Sequence, residues 1–137
     1  MKITNTCSYA ISALTLIAAQ PAGSIVANSS ICQTANLPVR YVLQVLRQLV
    51  NAEILASVRG VQGGYKLARP ASQITLLEIV EAIDGPIGGV EPITIEGMTP
   101  ASVGKVTKTL AAVAEDTRKR LSAITLADLR AAKAAAG

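Results

Sequence analysis

Histidine is absent from the 137 residues, and this absence excludes more functions than any other feature of the composition. Without an imidazole there is no Ser/His or Cys/His catalytic pair, no histidine metal ligand and no ordinary side chain that titrates near neutral pH. Glu78 and Glu81 form a carboxylate pair at i, i+3 spacing. General acid–base catalysis also needs a concave site with companion groups, which the sequence does not supply. We therefore expect that the protein is not an enzyme and that it binds no metal.

Cysteine and long apolar runs are also scarce. Cys7 and Cys32 lack C-x-x-C spacing and are too few to stabilise a secreted fold of this size by disulfide bonds. The reducing cytoplasm is therefore the expected location of the protein. No apolar run reaches 18 residues, so no membrane partner is expected. Ser12 and Thr15 interrupt the apolar stretch at residues 10–19, which favours a core helix over a secretory signal.

Acidic residues are few in the first half of the chain, and the basic ones there suggest a polyanion as partner. Residues 1–70 contain one acidic side chain, Glu53, against six basic ones, and the formal net charge of the whole chain is +4. Charge alone is also compatible with a solvated surface. The hydrophobic share of 50% is enough for one domain with its own core.

Three helices are predicted in the first 51 residues. Asn5 can cap the first, which runs to about Gln20, and Asn28 or Ser29 can cap a short second helix that stops at Asn36. Pro38 suits the first turn of the third. An apolar stripe predicts the buried side of this third helix, and its other side carries hydrogen-bonding residues: Val42, Val45, Leu46, Leu49 and Val50 against Arg40, Gln44, Arg47 and Gln48.

A hairpin and a fourth helix follow. Strands are predicted at 56–59 and 65–68 around a glycine-rich loop, and Thr75 with Glu78 forms a capping box before a helix at 76–84, which Gly85 ends. Residues 86–99 are rich in Gly and Pro and predict a flexible linker or loop.

From Thr99-Pro100 a long helix repeats apolar or small residues at three- and four-residue spacing: Val103, Val106, Leu110, Val113 and Thr117. A partner subunit or the chain's own domain must cover this seam. Thr125 with Asp128 predicts a last short helix.

Together these elements predict a mainly α fold with a small β-hairpin wing, a winged helix-turn-helix with a long C-terminal helix. A helix with a polar outer face fits the major groove of DNA, and a wing with glycines can approach phosphates or the minor groove. The expected organisation is therefore a DNA-binding domain at 1–85, the linker at 86–99, and a dimerisation helix with a C-terminal helix at 100–137. Because each neutralised phosphate releases counterions, binding should weaken steeply with salt.

The residues LPVRYVLQVLRQLV, SVRGVQGGY, ITLLEIVEAIDGP and ITLADL resemble the Rrf2 family of bacterial winged helix-turn-helix transcription regulators. The resemblance implies a homodimer, most simply a repressor, on a partly palindromic operator of double-stranded DNA. It places the third helix in the major groove and the wing in the minor groove. The implied DNA contacts are Ser29, Val39, Arg40, Tyr41, Gln44, Arg47, Arg59, Gly63, Gly64, Tyr65 and Lys66. Alternatively, Tyr41 seals the core, Lys66 only solubilises the wing, and Gln44 or Arg47 is solvated surface.

Family members that sense through an iron–sulfur cluster carry three cysteines before the dimer helix, and residues 90–104 contain none. Cluster binding needs thiolates, so no cofactor is predicted. Two alternatives remain open for the function: a thiol-based redox sensor that uses Cys7 and Cys32, or a module that docks a metabolic enzyme, as cluster-free members do. Free cysteines are more often small buried hydrophobes. The effector, and whether loop 86–99 binds a ligand, are left open.

Overall fold

The computed structural model describes residues 3–88 and 96–130, and within them it shows a mainly helical fold with one two-stranded hairpin. A short 3-10 turn at Ala71–Gln73 follows the hairpin. The elements are α1 (Asn5–Ala18), α2 (Asn28–Ala35), α3 (Val39–Asn51), β1 (Leu55–Val58), β2 (Gly64–Leu67), α4 (Leu76–Asp84) and α5 (Pro100–Ser122). The predicted winged helix-turn-helix with a long C-terminal helix is confirmed.

One apolar core joins α1, α2, α3 and α4 to the base of the hairpin. Its fully buried members include residues of each of these elements: Leu14, Ile31, Leu46, Leu49, Leu55 and Ile79. Leu126, beyond the end of α5, is 0% exposed and lies in the same core. Since burial of apolar surface is the dominant favourable contribution to folding, the segment after α5 stabilises the same unit as α1.

The start of α1 differs from the prediction. Thr4, and not Asn5, is the N-cap, because the Thr4 Oγ1 accepts the Cys7 N–H at 3.1 Å and Asn5 is already helical. The Thr4 hydroxyl also donates to Asp84 Oδ1 at 2.6 Å, at the end of α4. This contact between distant segments favours Thr4 over its neighbour. The helix ends at Ala18, two residues before the expected Gln20.

The capping box of α4 is confirmed. The Glu78 N–H donates to Thr75 Oγ1 at 3.2 Å, and the Thr75 N–H donates to Glu78 Oε2 at 2.9 Å. The Arg69 guanidinium pairs with the same carboxylate at 3.1 Å. Partial burial by itself raises the pKa of Glu78, but the Thr75 N–H and Arg69 together hold that pKa below its ordinary value. Gly85 ends the helix with φ 88°, in the left-handed region.

The hairpin begins one residue earlier on both strands than predicted. Leu55 pairs with Leu67 and Val58 with Gly64. Leu55 is 2% exposed, and its burial in the core leaves Arg59 outside the ladder, at the start of the turn. Val26 pairs with Tyr65 through two backbone hydrogen bonds of 2.8 and 2.9 Å, which fasten the hairpin to the connection between α1 and α2.

After α5 the chain returns to the core. The Leu76 N–H donates to the Ile124 carbonyl at 2.9 Å, and the Leu126 N–H donates to the Ile74 carbonyl at 2.8 Å. Thr125 and Asp128 exchange the two bonds of a capping box, as predicted, and residues 126–130 are helical. Residues 89–95 of the predicted linker and the tail from 131 lie outside the described residues. Within the described ranges, no helix has the length and apolarity needed to cross a membrane.

Candidate nucleic-acid interface

The turn between α2 and α3 places the two helices as a helix-turn-helix. Asn36 ends α2 with φ 53°, a left-handed conformation that asparagine tolerates better than most residues, as the sequence predicted. The Leu37 N–H donates to the Cys32 carbonyl at 3.2 Å and closes the turn. Pro38 has extended backbone and stands as the N-cap of α3. Three consecutive residues therefore redirect the chain into the third helix.

The two faces of α3 are those that the sequence predicted, except at Gln48, which is half-buried with its side-chain oxygen inside the protein. Val42, Val45, Leu46 and Leu49 are all buried. Arg40, Gln44 and Arg47 are exposed. At about 100° per residue these three side chains leave the helix within about 60° of one another. The structure therefore brings them together on one outward face, which we call the reading face.

The basic side chains of the reading face and the wing have no acidic partner among the described residues. The ion pairs among the described residues involve other cations, namely Arg69, Arg118 and Arg120. Arg40, Arg47 and Arg59 are exposed, and Lys66 is half-buried on β2. Uncompensated cations of this kind attract the phosphate backbone of a nucleic acid.

Tyr41 lies at the edge of the reading face and does not seal the core. It is 48% exposed, and its ring is tilted against the ring of Tyr9 on α1, with 6.1 Å between the centroids. This distance is within the range of favourable aromatic pairs. The contact holds one side of the Tyr41 ring and leaves the rest of the side chain accessible.

The tip of the wing is a tight turn in which the Gly63 N–H donates to the Gly60 carbonyl at 3.0 Å. Gly60 has φ 119°, which an L side chain rarely adopts. Arg59 precedes this turn and is exposed, and Val61 within the turn is 106% exposed. The wing therefore presents one cation and one apolar side chain at its tip.

Gly63 and Gly64 have a structural explanation in the hairpin itself. A Cβ at Gly63 would collide with the Val58 carbonyl oxygen, and a Cβ at Gly64 with the Val26 carbonyl oxygen. The half-buried Tyr65 packs against the core. Close backbone packing thus requires both glycines, whether or not their backbone also contacts a phosphate.

Ser29 is exposed in the first turn of α2 but does not cap it. Ala27 is the N-cap and no side chain accepts a hydrogen bond from the first turn, so the expected cap at Asn28 or Ser29 is wrong. The Asn28 side-chain oxygen instead accepts the Cys32 thiol at 3.7 Å. Asn28 is already helical and therefore cannot be the cap.

The seam of α5 is accessible in the isolated chain. Val106 is 50% exposed, Leu110 38% and Val113 58%, and Val103 and Thr117 are half-buried. None of the α5 residues from 100 to 122 is buried. Arg118 ties the helix to α4 through Glu81 Oε2 at 2.8 Å, and the same oxygen accepts the Ile87 N–H. The chain's own domain therefore does not cover this apolar row.

The two cysteines lie in different environments. Cys7 is 0% exposed in the core, and burial, together with the charge of Asp84, raises the pKa of its thiol to about 11. Cys32 on α2 is half-buried. Among the described residues no group of three or more Cys, Asp or Glu side chains is placed to hold a metal ion.

Sequence reasoning missed one exposed apolar residue at this interface, Val61 on the wing. A signal was available, because Val61 lies between the glycines of the turn, a position that predicts a side chain pointing away from the core. Leu43 on α3 is exposed as well.

A helix-turn-helix with a cationic third helix and a hairpin wing defines the class of winged helix-turn-helix DNA-binding regulators. Comparison with known proteins identifies the family within this class. Residues 3–132 match the family Rrf2, described as "Iron-dependent Transcriptional regulator", and the chain belongs to this family. It is therefore a DNA-binding transcriptional regulator and not an enzyme, as predicted.

Relatives and solved structures agree with this assignment. The chain is 33% identical over 96 residues to the HTH-type transcriptional regulator CymR of Bacillus subtilis (strain 168), covering 70% of each protein. The solved structure of CymR, "the Global Cysteine Regulator of B. subtilis", superimposes with a TM-score of 0.78 at 30% identity, covering 96% of this chain and 97% of CymR. IscR of T. potens gives a TM-score of 0.69 at 26% identity, covering 94% and 85%.

Proposed function

We propose that the protein is a homodimeric repressor that binds a partly palindromic DNA operator and carries no iron–sulfur cluster. The observation that carries this proposal is the shared exposure of Arg40, Arg47 and Arg59, which have no acidic partner among the described residues. In this arrangement α3 enters the major groove, where arginine can bind guanine, and Arg59 enters the adjacent minor groove. Ser29 and Lys66 lie on flanking elements that can contact phosphates.

The exposed seam of α5 supports the dimer. Two copies that bury Val106, Leu110 and Val113 against each other remove this apolar surface from water. A two-fold axis through the seam also presents two reading faces and two wings, as a palindromic site requires. An effector that changes the relation between the two copies would change operator occupancy.

The residues of this chain do not fit an iron–sulfur cluster. Clusters of this kind are bound by several thiolates, and the whole chain has two cysteines. Cys7 lies inside the core with its pKa raised, so it is held as a thiol. Iron analysis and the visible spectrum of anaerobically purified protein test this point: a cluster absorbance with matching iron would contradict the cluster-free proposal.

The same observations disfavour a redox switch built on both cysteines, because a buried thiol with a raised pKa reacts poorly with oxidants. Cys32 remains a candidate for oxidation on its own. Docking of a metabolic enzyme is tested by co-purification, and no contact in the described residues favours it over DNA.

The test of DNA binding compares Arg59→Ala with Arg120→Ala on a DNA fragment that carries the operator. Arg59→Ala should weaken specific binding by about 1–3 kcal/mol, the usual value for a groove contact. Arg120 is a matched control because it is an exposed arginine on α5, paired with Asp116. Mobility shifts should also fade as salt increases. Equal affinities for the wild type and Arg59→Ala would remove the wing from the mechanism, and an absence of specific shifts would refute DNA binding.

Repression is tested with a reporter gene placed downstream of the operator. Transcription of the reporter should be higher in cells that lack the protein than in cells that contain it.

A further inference from the structure

Two large apolar side chains are exposed on α3 beside its cationic residues. Val39 is 56% exposed and Leu43 is 43% exposed, although Val42 and Leu46 of the same helix are buried. A single exposed apolar residue needs no explanation. Two of them, four residues apart on one helix, lie on adjacent turns and form a continuous apolar edge.

This edge runs directly into the cationic part of the reading face. Val39, Leu43 and Arg47 follow one another at four-residue intervals and therefore form a single ridge along α3. Four residues of helix rise about 6 Å, and successive bases along one strand of DNA are about 3.4 Å apart. When α3 lies in the major groove, Val39 and Leu43 therefore span about two base steps.

The chemistry of the ridge selects one base in particular. Thymine is the base that presents a methyl group in the major groove, and apolar side chains contact that methyl group. The helix from Val39 to Asn51 contains no carboxylate, the group that accepts the amino hydrogen of cytosine. The ridge thus combines two methyl-contacting positions with one arginine.

We propose that Val39 and Leu43 read two thymine methyl groups in each half-site, one or two base steps apart and next to the base that Arg47 contacts. This inference rests on the proposed function, because it takes α3 as the helix that enters the major groove. It assigns to Val39 and Leu43 a part in choosing the operator.

The experiment uses the full chain and an operator recovered by selection from random DNA. Each thymine is replaced in turn by uracil, which deletes only the C5 methyl group, and the Kd is measured. We expect two nearby uracil positions in each half-site to weaken wild-type binding by about fourfold each, the effect of one lost buried methyl group.

Variants identify the protein side of each contact. Leu43→Ala should abolish the sensitivity to uracil at one position, and Val39→Ala at the other. Both side chains are exposed in the structure, so these substitutions should leave the fold intact. Gln44→Ala on the same face is the matched control, and it should retain both sensitivities even where its overall affinity is lower.

The outcomes separate the inference from the proposed function. If selection recovers no specific site, both fail. If the protein binds a specific site and Arg47→Ala weakens that binding, but uracil has no effect at any position, α3 still reads DNA and the methyl contacts are refuted. If both alanine variants keep the full sensitivity to uracil, other residues contact the methyl groups and the inference is also overturned.

Discussion

Replacement of Leu110 by glutamate should separate the proposed dimer. Leu110 is the middle residue of the seam that runs from Val103 to Thr117. In a dimer whose two-fold axis crosses the seam at this middle residue, the two copies of residue 110 face each other. The substitution removes an apolar contact from both copies and places two carboxylates at the same point.

The magnitude follows from the exposure of Leu110. A fully buried leucine contributes about 1.5–3 kcal/mol, so burial of the remaining 38% contributes about 1 kcal/mol in each protomer. Two carboxylates about 6 Å apart at an effective dielectric constant of 20 repel each other by about 3 kcal/mol. The dimer should thus lose about 4–5 kcal/mol, on the order of a thousandfold in its dissociation constant.

Sedimentation equilibrium measures this change directly. Ala112→Glu is the matched control, because Ala112 is exposed and projects about 200° around α5 from Leu110. The control should remain a dimer, and Leu110→Glu should sediment as a monomer with its helical content retained. A wild-type monomer, or equal dissociation constants for the wild type and Leu110→Glu, would refute the assignment of this seam to the dimer.

Three further predictions concern stability, each measured by urea unfolding. Leu126→Ala should destabilise the protein by about 2–5 kcal/mol, because Leu126 is 0% exposed in the shared core; a negligible change would place the segment after α5 outside that core. The pKa of Glu78 is lowered on folding, so its carboxylate stabilises the fold fully above the ordinary value of 4.5, and this contribution is lost as the pH falls through the lowered pKa. The difference in stability between the wild type and Glu78→Gln should therefore be present at neutral pH and shrink in acid, and a difference that does not vary with pH would contradict this origin. Glu53 has φ 61°, so Glu53→Gly should stabilise the protein by up to about 1 kcal/mol, and a loss of stability would show that the side chain outweighs the backbone strain.

Local sequence signals predicted several features residue by residue. The bounds of α4 and its capping box depend on Thr75, Glu78 and Gly85, which lie within one short segment. Asn36, with its left-handed backbone, and Pro38 two residues later likewise define the turn of the helix-turn-helix. The outward direction of Arg40, Gln44 and Arg47 follows from helical periodicity once the apolar stripe is assigned.

Local signals could not decide between neighbouring residues that were both able to fill the same structural role. Thr4 and Asn5 can both cap a helix, and the bond from Thr4 to Asp84, 80 residues away, favours the first. Both strands of the hairpin begin one residue earlier than predicted, because Leu55 is buried in a core to which α1 and α3 contribute.

Residue identities and their spacing along the chain are enough to predict the helical periodicity and the caps and turns that have a single good candidate. They also show that the chain lacks histidine and a cluster-binding set of cysteines. The position of Tyr41 outside the core, the backbone packing that requires Gly63 and Gly64, and the burial and raised pKa of Cys7 emerge only in the folded chain. Burial, steric fit and desolvation arise between segments far apart in the chain, which meet only when the core forms.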